Sequence, residues 1–192
     1  TPTSATACMQ CPGHESWHPD PDFYYQPGGG PLFDMGPYYL SALVTLLGPI
    51  RTVAAMTGSA RAERTITSEN RRGETILVNV PTHVAGMLAF DQGTIGTLLM
   101  SFDVIGHHQP HLEIHGTEGS IQVPDPNTFG GPVRLKRRDA DGFTEVPLSH
   151  GYAAQSRGVG LADMVDAIQQ RRELRVSGER ALHVLCCMEG LH

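Results

Sequence analysis

The stretch that decides the fold reads Gly28-Gly-Gly-Pro-Leu-Phe-Asp-Met-Gly-Pro-Tyr-Tyr-Leu-Ser-Ala-Leu-Val-Thr-Leu-Leu47. Gly48-Pro49 follows it, so the pattern predicts one helix that ends at Leu47. A stripe of core-facing residues has helical spacing and consists of Gly36, Leu40, Leu43 and Leu47. A second stripe lies two residues away, which is about 200° of helix rotation, and therefore points outward. That outer stripe consists of Asp34, Tyr38, Ser41 and Thr45.

Composition and charge indicate a globular domain whose main partner is not nucleic acid. Of the 192 residues, 40% are hydrophobic and 18% are charged, which suits one folded domain with a core. The formal net charge is −6, and the dense basic run Arg134–Arg138 carries no aromatic residues for base stacking. No apolar run approaches the roughly 20 residues that cross a bilayer, so we expect no membrane association.

The four cysteines form two close pairs, Cys8 with Cys11 and Cys186 with Cys187. This spacing is not that of a secreted disulfide framework, and it favours a reducing, cytoplasmic setting. The sequence starts at Thr1 without an initiator methionine and stops directly after a helical pattern. We therefore expect it to be part of a longer protein.

A run of β-type segments follows the first helix, and Glu74–Val80 is among the predicted strands. Three turn signals, Asp91-Gln-Gly93, Gly116–Gly119 and Asp139–Gly142, each separate two such segments and predict hairpins. Helical spacing returns in two segments within residues 161–188. This order predicts an α+β fold with an open, mostly antiparallel sheet and helices on one face. The uncovered face predicts a homo-oligomer that forms through the sheet.

Candidate chemistry is concentrated where the outer stripe meets residues 11–27, a segment rich in proline, glycine, histidine and aromatic residues. Asp34 and Tyr38 place a carboxylate and a phenol one turn apart on the helix surface. His18, next to Trp17 in this segment, can reach a ligand at the helix start. The alternative is a solvated helix face, on which the helix dipole favours Asp34, and a loop histidine that packs on Trp17.

The histidines and cysteines suggest a second kind of site. Four histidines lie within residues 107–115, and Cys8-Met-Gln-Cys11 has the spacing of a zinc or redox motif. No second Cys-x-x-Cys follows, and the His-x-His pattern with a later Glu is absent. We therefore predict no metal site and keep a zinc protein as the less favoured alternative.

Taken together, these residues resemble the Gfo/Idh/MocA oxidoreductases. The pattern Gly28-Gly-Gly-x-x-x-Asp34-x-Gly36-x-Tyr38, which ends in Leu-Leu-Gly48-Pro, is similar to the helix that opens their substrate domain. The resemblance covers nearly the whole chain. Three further segments resemble the family's Gly-Thr-x-Gly hairpin and its two closing helices: His111–Ile121, Gly160–Arg172 and Ser177–Gly190.

The resemblance implies that residues 1–192 form the C-terminal domain of a two-domain enzyme whose N-terminal Rossmann domain binds NAD or NADP. The family's Gly-x-Gly-x-x-Gly loop and its Glu-Lys-Pro segment with the catalytic lysine are absent from the sequence. The cofactor site would therefore lie mainly in the other domain, and this chain alone would be inactive and bind the cofactor weakly. The intact protein would oxidise or reduce a hydroxyl-bearing carbon of a sugar or polyol.

The resemblance also implies roles for individual residues. In the family an aspartate at the position of Asp34 positions the substrate, and a histidine four residues later handles the proton of the reacting hydroxyl. Here that position holds Tyr38, which can relay a proton when a neighbouring cation stabilises its phenolate. Otherwise His18 is the spare base, and both options stay open. The expected catalytic residues are Asp34, Tyr38 and His18, and the expected substrate-binding residues are Trp17, Gly30 and Tyr39. The alternative function is a non-catalytic binding or dimerisation module, in which the tyrosine marks lost chemistry.

Overall fold

The computed structural model of the protein describes residues 1–154 and 156–192, which form one main sheet, one small sheet and three helices. The strands of the main sheet are β1 (Pro2–Gln10), β2 (Ile50–Gly58), β5 (His83–Phe90), β6 (Ile95–Ser101), β7 (Leu112–Gly116), β8 (Gly119–Val123), β9 (Val133–Arg137) and β10 (Thr144–Val146). The small sheet consists of β3 (Glu63–Thr65) and β4 (Thr75–Leu77). The helices are α1 (Gly30–Leu47), α2 (Val159–Gln170) and α3 (Gly178–Leu191).

The main sheet is open, and its eight strands lie in the order β10-β9-β8-β7-β1-β6-β5-β2. Every neighbouring pair is antiparallel except β1 and β6, which run parallel with Ala7 opposite Leu98. The three predicted hairpins are the pairs β5–β6, β7–β8 and β9–β10. The prediction of an open, mostly antiparallel sheet is confirmed.

Helix α1 packs on one face of the sheet through the predicted core stripe. Its members from Gly36 to Leu47 are all buried, and the helix lies over β1, β5 and β6. Helix α3 packs beside α1 on the same face. A Cβ at Gly36 would lie 3.1 Å from Met188 Sδ, so Gly36 sets how closely the two helices approach.

The segment Glu74–Val80 does not join the main sheet as predicted. Only Thr75–Leu77 is a strand, and it pairs with β3 in the small sheet. The N–H of Asn79 donates instead to Tyr25 O at 2.9 Å, which ties the segment to the loop before α1. Strand β3 was not predicted because three residues carry no readable alternation.

The face of the main sheet opposite α1 and α3 is uncovered and has two halves. Strands β2, β5 and β6 expose apolar side chains there, and Met56, Met87 and Ile95 are 82%, 59% and 55% exposed. Strands β1 and β7 carry polar residues such as Thr6 and Glu113. Within the described part of the chain, no helix has the length and apolar character that a bilayer crossing requires.

Candidate active site

The glycine triplet before Asp34 is required by the backbone that enters α1. Gly28 and Gly30 have φ of +91° and +81°, and a Cβ at Gly30 would lie 2.9 Å from Pro81 O. A Cβ at Gly29 would lie 2.5 Å from the carbonyl oxygen of Phe23. The triplet therefore fixes the entry of the chain into the helix. Gly30 is buried, and its contact with substrate stays a prediction.

Asp34, just over one turn into α1, is paired with His14. His14 Nε2 lies 3.3 Å from Asp34 Oδ2, and the two side chains are 12% and 28% exposed. The imidazole of His14 packs against the rings of Tyr24 and Phe102, at centroid distances of 4.1 and 4.6 Å. His14 is a candidate site residue that the sequence did not reveal, because its partner is 20 residues away on another element.

A cluster of aromatic rings continues from His14 to the surface. Trp17 is 60% exposed and meets His14 and His18 edge to face, with ring centroids 5.3 Å apart in each case. His18 also contacts the rings of Phe23 and Tyr24. Burial, followed by the charge of the nearby α1 carboxylate, raises the pKa of Tyr24, so this phenol stays neutral near neutral pH. The aromatic loop, residues 11–27, therefore presents several aromatic rings beside the carboxylate of Asp34.

The backbone holds His18 in one tautomer. The N–H of Asp20 donates to His18 Nδ1 at 3.1 Å, so the neutral ring carries its proton on Nε2. Such a ring has no free lone pair that can accept a proton. His18 lies where it was expected, beside Trp17, but this geometry disfavours it as a base.

Tyr38 lies one turn after Asp34 and opens on a different surface. It is 36% exposed and lines a groove of about 600 Å³ between α1 and the loop after β8. The α1 wall of this groove includes Ser41, and the opposite wall includes Asp125 and Phe129. Over the described residues, the lining of the groove includes Tyr38 but not Asp34. The outer stripe therefore serves two surfaces, the aromatic loop at Asp34 and the groove at Tyr38.

Tyr39 is fully buried behind this surface. Its hydroxyl donates to Asp125 Oδ1 at 3.1 Å and pairs with His111 Nδ1 at 3.0 Å. Burial, followed by the charge of Asp125, raises the pKa of this phenol. Tyr39 thus joins α1 to both ends of the β7–β8 hairpin, and its contact with substrate stays a prediction.

A buried ionic network holds the loop that carries His14. Arg64 of β3 is 4% exposed, donates to Glu15 Oε1 at 2.6 Å and also pairs with Asp103. Tyr25 donates its hydroxyl to the second oxygen of Glu15 and accepts the N–H of His14 at 3.2 Å. Breaking such a network by removing one charge is costly, because the partner charge stays buried.

A second arginine ties the same loop to the small sheet from the solvent side. Arg71 pairs with Asp20 and Asp22 in the loop, and its Nη2 lies 2.8 Å from a carboxylate oxygen of Glu74. Arg64 and Arg71, the two arginines that bind this loop, are therefore both neutralised by carboxylates. Neither of them offers a free positive charge to a ligand.

The histidines and cysteines form ordinary structural contacts in the described residues. There, the structure brings no three His, Cys, Asp or Glu side chains into a metal-binding group. Cys8 donates its thiol to Gln109 Oε1 at 2.9 Å, and His115 pairs with Ser120. All four cysteines are free thiols. The alternative of a zinc protein therefore gains no geometric support.

An open sheet backed by two helices, with a carboxylate and an aromatic loop at the start of the first helix, defines an α+β domain that can form one wall of a small-molecule site. The chain belongs to the GFO/IDH/MocA C-terminal domain family, whose model matches residues 1–122. This confirms the resemblance on which the expected site was based. A relative is the dTDP-3,4-didehydro-2,6-dideoxy-alpha-D-glucose 3-reductase of Streptomyces antibioticus, which is 28% identical over 72% of this chain and 50% of the reductase.

Solved structures share the fold over almost the whole chain. A levoglucosan dehydrogenase in complex with NADH is 20% identical, with a TM-score of 0.76 over 99% of this chain and 55% of that one. An NAD binding oxidoreductase from Klebsiella pneumoniae is also 20% identical, with a TM-score of 0.74 over 99% of this chain and 56% of that one. The chain spans about half the length of the relatives that it matches.

Proposed function

We propose that this chain is the substrate-side domain of an NAD(P)-dependent oxidoreductase that transfers a hydride to or from a hydroxyl-bearing carbon of a neutral sugar or cyclitol. The observation that carries the proposal is the partly exposed carboxylate of Asp34 at the edge of an aromatic loop, in a domain of this family. The relatives support it, because they include a sugar reductase and a dehydrogenase bound to NADH.

The nicotinamide of NAD or NADP, when bound, supplies the hydride donor or acceptor. We place its main site in a Rossmann domain outside this chain, because the described residues contain no Gly-x-Gly-x-x-Gly turn between a strand and a helix. One carboxylate, one phenol and exposed aromatic rings fit the opposite, substrate side of such a site. Residues 1–192 are then a single domain that is inactive alone.

Each candidate residue has a role that its geometry permits. Asp34 orients the reacting hydroxyl by accepting its hydrogen bond. Tyr38 handles the proton, because it follows Asp34 by one helical turn and its hydroxyl makes no hydrogen bond to any described residue. Its side chain lines the neighbouring groove, so the substrate must reach from the aromatic loop at Asp34 to that groove. His18 is the less favoured proton carrier, since Asp20 occupies its Nδ1. Trp17 packs on the substrate ring.

The surroundings of Asp34 favour a neutral substrate. The arginines of this loop, Arg64 and Arg71, are paired with carboxylates, and Asp34 itself repels anions. Trp17 and Phe23 are 60% and 55% exposed and suit the apolar face of a sugar ring. Neither of these two paired arginines is available as a counter-charge for a phosphorylated sugar.

We further propose that the protein forms a homo-oligomer through the uncovered sheet face. The apolar half of that face is exposed, and an exposed apolar sheet surface of this kind is typical of an interface.

The free thiols of the four cysteines suit a reducing compartment, so we place the protein in the cytoplasm.

The experiment uses the intact protein with NAD⁺ and NADP⁺ and follows reduced nicotinamide by absorbance. We expect turnover with at least one neutral substrate among levoglucosan, D-glucose and myo-inositol, and none with D-glucose 6-phosphate. The 192-residue chain alone should give no turnover. If the intact protein bound neither nicotinamide in calorimetry, the proposal would fail and a non-catalytic binding module would be favoured.

A further inference from the structure

The histidine that contacts Asp34 comes from the loop after β1 and not from α1. Its Nε2 is 3.3 Å from Asp34 Oδ2, and this is the hydrogen bond that Asp34 makes among the described residues. The second carboxylate oxygen, Oδ1, has no hydrogen-bond partner there. His14 therefore engages one oxygen of Asp34 and leaves the other available.

The two nitrogens of His14 are in different environments, which determines its tautomer. A carboxylate only accepts hydrogen bonds, so Nε2 carries the proton that lies toward Asp34. The second nitrogen, Nδ1, is buried and has no hydrogen-bond partner among the described residues. A buried N–H without an acceptor is rarer and costlier than an unpaired lone pair, so Nδ1 is unprotonated. Neither nitrogen of this neutral ring is free to exchange a proton with a ligand.

The structure fixes His14 from both sides along the chain. Gly13 has φ of +98°, and a Cβ there would lie within 2.5 Å of Tyr25 OH. The backbone N–H of His14 donates to that same hydroxyl at 3.2 Å. On the other side, Glu15 is locked to Arg64 at 2.6 Å. The imidazole therefore has little freedom to leave Asp34.

We propose that His14 is the positioning residue of Asp34. Its Nε2–H holds Oδ2, so that Oδ1 is the oxygen that receives the substrate hydroxyl in a fixed direction. This role rests on the proposed function, in which Asp34 orients the reacting hydroxyl. A carboxylate that one donor already holds loses less orientational freedom when it binds the substrate hydroxyl. This favours the geometry in which the hydroxyl reacts.

The test compares His14→Phe with His14→Gln in the intact protein. Phenylalanine keeps a flat ring among the aromatic neighbours but removes the donor, whereas the glutamine amide restores an N–H near the position of Nε2. With levoglucosan and the preferred nicotinamide, we expect His14→Phe to lower kcat about 10- to 100-fold, the loss of one hydrogen bond to a charged group, with a smaller change in KM. His14→Gln should recover kcat to within about fivefold of the wild-type value. His108→Phe, in an exposed loop, is the control for loss of a histidine ring.

A second measurement does not depend on activity. In ¹⁵N-histidine NMR spectra of the wild type, the signals that disappear in His14→Gln should show a protonated Nε2 and an unprotonated Nδ1. An Nδ1–H tautomer, or wild-type kcat in His14→Phe, would overturn the inference while the proposed function stood. If the wild type turned over none of the neutral sugars, the proposed function would fail, and the spectrum would still decide whether His14 holds Asp34.

Discussion

At the scale of single residues, Gly13 decides whether the loop that carries His14 can adopt its observed conformation. A Cβ at Gly13 would lie within 2.5 Å of both Arg64 Nη1 and Tyr25 OH, and φ is +98°. We expect Gly13→Ala to lower the free energy of unfolding by about 3 kcal/mol or more, since it combines backbone strain with disruption of a buried ion pair. Gly28→Ala is the matched control: φ is +91°, but no described atom lies within 4 Å of its Cβ. Gly28→Ala should lower the free energy of unfolding by about 1 kcal/mol. If urea unfolding gave equal losses of unfolding free energy for the two variants, this account would be contradicted.

Tyr39 makes a prediction about alkaline pH. Its pKa in the folded protein is raised by burial and by Asp125, whereas a tyrosine in the unfolded chain titrates near 10. The stability that comes from keeping this phenol neutral is therefore complete below about pH 10 and is lost as the pH rises above it. Between pH 9 and pH 11, the wild type should lose about 1.4 kcal/mol more of its unfolding free energy than Tyr39→Phe. Parallel pH curves for the two proteins would show that the phenol is not held neutral.

The sequence identified some of these residues and missed others for geometric reasons. Asp34 and Tyr38 were placed on the outer face because helical periodicity alone decides that. Tyr39 was expected to bind substrate. One residue is about 100° of helix rotation, and this turns the Tyr39 side chain into the core, so its contact with substrate stays a prediction. His14 could not be found, because its contact joins a loop to a helix and leaves no spacing pattern in the sequence.

At the scale of elements, the aromatic loop is held to the small sheet by Arg71. Removing its pairs with Asp20, Asp22 and Glu74 should loosen the loop but change the free energy of unfolding little, because exposed ion pairs are screened by solvent. Trp17 is the one tryptophan of the chain, and its fluorescence anisotropy reports the motion of the loop. We expect Arg71→Ala to lower this anisotropy.

The neighbouring variant Arg72→Ala is the control for Arg71→Ala. Arg72 is exposed and forms no ion pair within the described residues. Its anisotropy should match that of the wild type. If both variants lowered the anisotropy equally, the loss of one positive charge would explain the effect, and the loss of the Arg71 ion pairs would not.

The long elements could be predicted from the sequence, and the short ones could not. Helix α1 ends at Leu47 as predicted, because Gly48 adopts φ of +85° there and Pro49 follows. The three-residue strand β3 has no such signals. Its partner segment Glu74–Val80 has the pattern of a strand of the main sheet. The pairing of Thr75–Leu77 with β3 and the hydrogen bond from Asn79 to the loop show that it belongs elsewhere.

At the scale of the whole molecule, serial hairpins were enough to predict an open antiparallel sheet. The central place of β1 was not predictable, because Ala7 and its parallel partner Leu98 lie far apart in the sequence. That pairing matters for the site, since β1 leads directly into the loop with His14. The position of the candidate site therefore depends on a long-range contact that local patterns do not encode.

The proposed oligomer makes its own prediction at this scale. Met87→Glu places a charge in the middle of the apolar half of the uncovered face and should shift the intact protein to a smaller species in sedimentation velocity. Gln122 lies opposite Glu113, in the polar half of the same uncovered face. Gln122→Glu adds the same charge there and should leave the assembly intact. An unchanged mass for Met87→Glu would rule out this half of the face as the interface.

The central claim is that the outer face of α1 orients a sugar hydroxyl and transfers its proton. The most direct measurement is kcat/KM of the intact protein with its best neutral sugar, for Asp34→Asn, Tyr38→Phe and the control Ser41→Ala. We expect losses of roughly 100-fold or more in the first two, the range of one positioned acid–base group, and little change in the third. Wild-type turnover in both Asp34→Asn and Tyr38→Phe would remove this helix from the mechanism.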